Sequence, residues 1–567
     1  MEKLRYIAIL DMSRLISADK DCGAWDLITT HLIATANYSG TPDSIRTQCC
    51  ESIADIITTA MECSLSEEKE PDENLQTRLL RALNQCINYT PPKDSDSEKG
   101  YTQKAFPEVQ RMGLETLNKL LQTSGQSFTC GWSLIFEMVK HVTTVTSNTA
   151  TNQENNDDDT ESHIEEESKA ERSSIDTTTS SLRTANNTNV TKAAGGLIKV
   201  AFASLQLICT DFLALLSPDC LRQCIATLGA FGMQNEDINI SLTAVGLLWN
   251  LSDFIQTKRL DLVKSGQEEP SNQIISKESL SIDQTLDGKG TPEVLSILWM
   301  LLLLQLSHIC TDPRPEVRHG ANQTLFRTIM LNGNVLSPNL WSACIWEVLF
   351  PLLDATKMSS IRAIKMMQAQ STRSPSLSPS ADRDASGFLL HHSRDTADKQ
   401  WDETKVLVLN GISGIFRDFL GKLNTLPQFD RAWSLLLAHL EDSCLRSSQE
   451  VSLASVKSFR NIVGQQPDCD SQETVIELWE KAWLSWLAIG ESIIGQDDQD
   501  KCRVEERFKQ LDSDLHPLTL SLSSSSAASI SDDFSQDMLT SFVSMFTDLY
   551  NVCLLYTSDA ADERINV

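Results

Sequence analysis

Apolar residues recur along this chain every three or four positions in long blocks, and polar stretches part the blocks. That spacing predicts amphipathic helices throughout. It is clearest over Asn239–Phe254. There Ile240, Ala244, Leu247, Leu251 and Phe254 make one stripe, and Leu242, Val245 and Trp249 make a second. Apolar residues on two sides predict a helix held between neighbours. Gly246 costs about 1 kcal/mol in mid-helix, and the close approach of a neighbouring helix is the expected compensation.

The blocks resemble one another. Four of them align at Ile45, Val109, Val317 and Val451. Four residues on, each has a small residue: Cys49, Gly113, Ala321 and Ser455. A large apolar residue follows at the next step (Ile53, Leu117, Leu325, Phe459) and again at the one after (Ile57, Leu121, Ile329, Val463). Such a row drifts slowly around one helix face, and its small member allows close packing. Three blocks carry Glu before the first position, at Glu108, Glu316 and Glu450, where a helix N-terminus favours negative charge. The same three continue to Trp132, Trp341 and Trp479, each opening a second apolar helix. A helix–loop–helix unit of roughly 40 residues is the signature of armadillo and HEAT arrays. The expected fold is therefore all-α, an armadillo/HEAT-like α-solenoid interrupted by disordered loops.

One block is closest to the HEAT consensus: Asp312-Pro-Arg-Pro-Glu-Val317-Arg318, with Ala321 and Leu325 after it. Asp312 is the expected N-cap and a proline the expected first-turn residue. Arg318 is expected beside the Asp of a neighbouring repeat, as part of an inter-repeat ladder. Asp312, Arg318, Trp249 and Trp433 are the positions that carry recognisable motifs, and all four are expected to be structural.

Composition changes the picture in two ways. With 567 residues the chain exceeds what one core supports. Its pattern divides it into helical repeats over 1–145, an acidic linker over 146–192 and a helical block over 193–263. A linker over 264–290, a HEAT-like repeat over 291–356 and a Ser-rich loop over 357–387 follow. Then come helical repeats over 388–494, a linker over 495–529 and a terminal helix over 530–552. The net charge of −29, from 77 acidic and 48 basic residues, disfavours a nucleic-acid binder, which needs a basic stripe. The acid is concentrated in linkers such as Glu154–Glu167, a stretch too polar to offset its ordering entropy. The longest apolar run, Ile297–Leu304, is too short to span a bilayer, and no signal peptide opens the chain. A cytosolic protein with at most peripheral membrane contact is expected.

Chemistry-bearing motifs are scarce. No phosphate-binding loop, dinucleotide fingerprint, zinc-protease helix or nucleophile elbow occurs. The 15 cysteines lack the repeated close spacing of a zinc site and read as buried thiols. His391-His392-Ser393-Arg394-Asp395 contains triad-type residues, but contiguous side chains diverge and form no relay. Ser393 or Asp395 reads instead as the N-cap of a helix from about Thr396. No catalytic residue, metal site or cofactor is expected.

Several long segments carry a resemblance. Lys199–Leu213 (KVAFASLQLICTDFL) and the helix after it resemble the region downstream of the catalytic domain in large Arf guanine-nucleotide exchange factors. Cys310–Ile329 and Leu331–Asp354 continue that likeness. His391–Phe416, Phe429–Leu440 and Glu450–Phe459 are similar to the monensin-sensitivity Golgi family, Mon-two. The similarity covers most of the chain from about residue 20 to 552, outside the polar inserts. It implies a non-catalytic scaffold, related to the exchange factors but without their Sec-seven domain. It further implies peripheral association with trans-Golgi and endosome membranes, and traffic from endosome to Golgi and from Golgi to vacuole. The implied partners are a Dopey-type scaffold, an Arf-like GTPase and a phospholipid flippase. By the same resemblance the chain reads as a central portion of a longer protein. Cys553–Glu563 fits no helix pattern and back-translates to a transposase sequencing adapter, so Cys553–Val567 is read as foreign to the natural protein. The alternatives are the regulatory region of an active exchange factor and a generic HEAT-repeat transport adaptor.

Overall fold

The computed structural model describes residues 23–66, 73–89, 105–144, 195–266, 290–372, 396–445, 449–463, 478, 481–482 and 484–489. Among them every regular element is helical. The chain divides into two compact units, with the boundary after Ile309. Each is built of packed helical repeats of the armadillo/HEAT kind.

The first unit holds α1 (Gly23–Ala36), α2 (Asp43–Ser66), α3 (Glu73–Ile87), α4 (Pro107–Ser124) and α5 (132–144). After them come α6 (195–207), α7 (Pro218–Met233), α8 (Ile238–Lys264) and α9 (Pro292–Ile309). Successive helices pack on each other: α1 on α2, α2 and α3 on α4, and α7, α8 and α9 mutually. Their starts are set locally. Proline occupies the first turn of α4 and α7, where its missing N–H is no loss. Ser217 Oγ accepts from Cys220 N at the start of α7, and the Asp237 carboxylate accepts from Asn239 N at the start of α8.

Three helices of this unit, Gly195–Leu215, Ile238–Lys264 and Pro292–Ile309, are apolar and long enough to cross a membrane by length and composition. The longest uninterrupted apolar run understates them, because single polar residues break it. In α9, Leu298, Trp299, Met300, Leu301, Leu302 and Leu303 are all buried within the protein, which is the pattern of a helix surrounded by its own core. Trp299 Nε1 donates to Ser252 Oγ of α8 at 2.8 Å, which satisfies the indole inside that core.

The second unit holds α10 (Pro315–Asn332), α11 (Pro338–Ala343), α12 (Phe350–Thr372), α13 (Ala397–Leu423), α14 (Phe429–Cys444) and α15 (Gln449–Val463). A π segment, Cys344–Leu349, joins α11 to α12. Helix α13 is the hub and packs against α10, α12 and α15.

The predicted repeat row lies inside. Val109, Val317 and Val451, the four small residues, and the large residues of the next two steps are buried wherever the structure describes them. The exception is Ile45, 39% exposed. At the start of α2 it is Arg46, one position on, that turns inward (5% exposed).

Three further expectations need correction. Helix α12 runs to Thr372, well into the stretch read as a loop from 357. The segment TKMSSIRAIKMMQAQ has no proline or glycine and alternates apolar with basic residues, so nothing in it ends a helix before Pro375. In α8 the first stripe is buried up to Leu251, but Leu242 is 38% exposed, Trp249 is half-buried, and of the second stripe only Val245 is in the core. Gly246 meets no neighbour: a methyl group there would have open space around it. Close packing therefore does not account for that glycine. The inserts 146–192 and 267–289, the segments from 373 to 395 and from 490 onward, and Trp479 lie outside the described residues.

Each unit contains the same aromatic clasp. In the first, Gly125 follows α4, and the Phe212 ring sits where a Cβ at Gly125 would be. Phe212 packs on Trp132 at 5.9 Å. In the second, Gly333 follows α10, Phe419 fills the same space over it, and Phe419 packs on Trp341 at 5.1 Å. Paired positions (Val109 and Val317, Gly125 and Gly333, Trp132 and Trp341, Phe212 and Phe419) lie about 208 residues apart, a long internal period. The sequence pattern reached the valine and the tryptophan; the phenylalanine completes the motif from beyond a long insert.

Candidate functional site

The richest polar cluster of the motif positions surrounds Arg318, at the start of α10. Pro315 opens that helix, and the extended turn before it, residues 312–314, folds back under the helix. Arg318 is completely buried. Its Nε donates to Thr404 Oγ1 of α13 at 2.7 Å. Nη1 donates to the carbonyl oxygens of Pro313 at 2.8 Å and Asp312 at 3.4 Å. The guanidinium lies 4.2 Å above the centre of the Trp401 ring, a geometry that favours a cation on the π face. Burial pulls its pKa down, and Asp312, Glu316 and Glu403 oppose that shift.

The predicted Asp ladder is not what forms. Arg318 reaches a hydroxyl and a ring of the next repeat, rather than a carboxylate. Asp312 instead grips Arg314: Oδ1 accepts from Arg314 N at 2.9 Å and Nε at 2.8 Å, and Oδ2 accepts from Nη2 at 2.8 Å. The N-cap of α10 is Arg314, not Asp312. The reason is length: the two prolines in Asp312-Pro-Arg-Pro hold the chain extended, so Asp312 lies one turn short of the helix and closes a local loop.

His319 completes the cluster. Its Nε2 is 3.1 Å from Thr404 Oγ1. Because the Thr404 hydroxyl donates to the Gln400 carbonyl at 2.9 Å, its oxygen is left to accept, and His319 must hold its proton on Nε2. Burial first, and the Arg318 charge second, lower the His319 pKa. Arg318 Nε and Nη1, His319 Nε2 and the Asp312 carboxylate all meet partners within the fold, and Arg318 Nη2 is the buried nitrogen of the cluster left without one among the described residues. The cluster joins two repeats and offers no open nucleophile.

The same device recurs at Arg46 in the first unit. Its Nε donates to the Ala36 carbonyl at 3.0 Å and its Nη2 to the Thr41 carbonyl at 3.2 Å. Its guanidinium lies 3.9 Å over the Phe106 ring, next to the start of α4. At the matching position of α4, Gln110 Nε2 donates to the Ile87 carbonyl at 3.0 Å. A polar side chain one residue after the first aligned position (Arg46, Gln110, Arg318) thus ties down backbone carbonyls of the segment that precedes its helix.

Trp433 is buried in α14 and donates from Nε1 to the Leu478 carbonyl at 3.1 Å. Trp249 is half-buried on α8. The N-cap of α13 is Thr396, not Ser393 or Asp395, which lie outside the described residues. A second polar cluster, which the sequence pattern missed, surrounds His439 in the core of the second unit. His439 Nε2 is 3.6 Å from Asp354 Oδ1, Lys357 pairs with Asp442 at 3.0 Å, and Lys405 is buried nearby on α13. Burial, then Lys357, pushes the His439 pKa down to about 3, with Asp442 opposing. Its signal was a histidine on the apolar face of WSLLLAHL, where a leucine would serve. Cysteines 49, 50, 86, 209, 220, 224, 310, 344 and 444 are buried, and Cys209 Sγ and Cys224 Sγ are 3.7 Å apart.

Comparison with known proteins now places the chain. Residues 210–476 match the sequence model described as the C-terminal region of Mon2 protein. A Homo sapiens relative, Protein MON2 homolog, is 30% identical over 454 residues, 79% of this chain and 22% of the relative. A Drosophila melanogaster relative of the same name is 39% identical over 308 residues, 52% of this chain and 17% of the relative. The ARF guanine-nucleotide exchange factor GNL1 of Arabidopsis thaliana is 28% identical over 162 residues, 28% of this chain and 9% of the relative. The aligned part of the chain thus spans about a fifth of the length of the Mon2 homologues.

Proposed function

Because this chain belongs to the Mon2 family, a distant relation of the Arf exchange factors, we propose that it is a non-catalytic scaffold of vesicle traffic between endosomes, Golgi and vacuole. One observation carries the non-catalytic part. Among the described residues, Arg318, Asp312 and His319 are hydrogen-bonded to partners inside the fold, and His439 is buried beside Asp354. What remains for function is the helical surface, and stacked repeats bind partners over extended faces. The chain works from the cytoplasmic side, as a peripheral protein of trans-Golgi and endosome membranes. Its partners are a Dopey-type scaffold, an Arf-like GTPase and a phospholipid flippase.

The test is a pull-down with the immobilised chain from a cytosol-plus-Golgi extract, read by mass spectrometry. Enrichment of those three partners over a bead control supports the reading. A folded, helical chain that retains none of them overturns the assignment of a binding surface to this region. The second reading, a regulatory region of an active exchange factor, draws on the GNL1 likeness. It predicts that adding the chain changes the rate of nucleotide exchange on an Arf GTPase by its own exchange factor. No change in that rate removes it.

A further inference from the structure

Helix α12 is anchored along one face of its first half. Leu352, Leu353, Thr356 and Ser360 are buried. Ser360 Oγ donates to Asp402 Oδ1 at 3.4 Å, and Lys357 pairs with Asp442. The opposite face carries Met358, Arg362 and Lys365, spaced i, i+4 and i+7 and therefore in one line. All three are exposed, Met358 to 57%. Ile361 and Ala363 beside them are half-buried. One turn earlier on that line stands Asp354, with its carboxylate 3.6 Å from His439.

The charge is unusual for this protein. From Ala355 to Ala381 there is no Asp or Glu, while Lys357, Arg362, Lys365 and Arg373 are basic. The chain as a whole carries −29. An exposed thioether set among cations on a helix face suits an anionic lipid surface. The apolar side chain enters the headgroup boundary while long basic side chains reach the phosphates.

We propose that the Met358–Arg362–Lys365 face of α12 docks on anionic phospholipid membrane. Charge complementarity selects that occupant: a negative leaflet attracts this segment while it repels the rest of the chain. The proposal deepens the peripheral-membrane part of the function given above and rests on it. It adds where the contact is and what headgroup charge it needs.

The test is vesicle flotation of the full chain. Vesicles of phosphatidylcholine alone are compared with vesicles containing about 20 mol% phosphatidylserine, a level typical of an anionic leaflet. Binding is expected only to the anionic vesicles, and it should weaken as salt rises. Arg362→Glu with Lys365→Glu should reduce partition about thirtyfold or more. Met358→Ala should lower it less, and circular dichroism should be unchanged in both. Undiminished binding of the double variant to anionic vesicles overturns this site but leaves peripheral association standing. Failure of the folded native chain to float on either vesicle overturns the site and the peripheral reading for this region together. Displacement of the native chain from vesicles by polyglutamate, with no effect of Met358→Ala, would mean that the face reads acidic protein instead.

Discussion

The guanidinium of Arg318 on α10 donates through Nε to the hydroxyl of Thr404 on α13 at 2.7 Å, across 86 residues of sequence. The pair couples two repeats through the core of the second unit. A buried charge held this way is not replaced by any group that keeps only part of its geometry.

Thr404→Val should therefore destabilise the chain by about 1–3 kcal/mol, because the change is isosteric but leaves the buried Arg318 Nε and the half-buried His319 Nε2 without their acceptor. Thr404→Ser should cost less, since it keeps the hydroxyl. Arg318→Lys keeps the charge but loses the planar fork and the stacking on Trp401, and should cost more than Thr404→Ser. Urea midpoints read by circular dichroism order the three. Equal midpoints for Thr404→Val and Thr404→Ser would mean that the hydroxyl contributes nothing to the join.

His439 makes stability depend on pH in a definite direction. Its folded pKa of about 3 lies below the ordinary histidine value, so the unfolded state binds the proton first. The contribution is fully present above about pH 6.5 and is lost as pH falls toward 3, with a limiting slope of about 1.4 kcal/mol per pH unit. His439→Leu removes this term. Between pH 7 and pH 5 the variant should gain about 2 kcal/mol relative to the native chain, whatever its absolute stability. Parallel stability curves for the two proteins over that range would show that His439 does not titrate as its burial dictates.

Local pattern carried the fold a long way. The helix class, the buried i, i+4, i+8 row and the proline-opened helices follow from residues close together in sequence, where spacing alone decides which side chains share a face. Asp312 and Arg318 were visible as a motif but not as partners. Arg318 is held by Thr404 and Trp401, beyond an insert whose length hides the pairing, and Asp312 turned to the nearer Arg314. The end of α12 escaped for the opposite reason. Its serines and basic residues look like a loop in composition, yet nothing in the segment breaks a helix. The polar core at His439 left only one local signal, a histidine on an apolar stripe, and its partners Asp354, Lys357 and Lys405 lie on other helices.

Two mid-helix glycines that look alike in sequence should respond to alanine with opposite sign. At Gly246 an added methyl group meets nothing within 4 Å, so Gly246→Ala gains helix propensity without steric cost and should stabilise by about 0.5–1 kcal/mol. At Gly411 on α13 the same methyl group would lie 2.4 Å from ring atoms of Phe326 on α10. Phe326 is itself buried, and its ring cannot swing aside without disturbing the packing around it. Gly411→Ala should destabilise by about 1–3 kcal/mol. Thermal melts of the two single variants decide the matter, since intrinsic propensity alone would raise both. A rise in both would mean that α10 and α13 do not approach as closely as the Gly411–Phe326 contact requires. A fall for Gly246→Ala would point to something seated on the open face of α8.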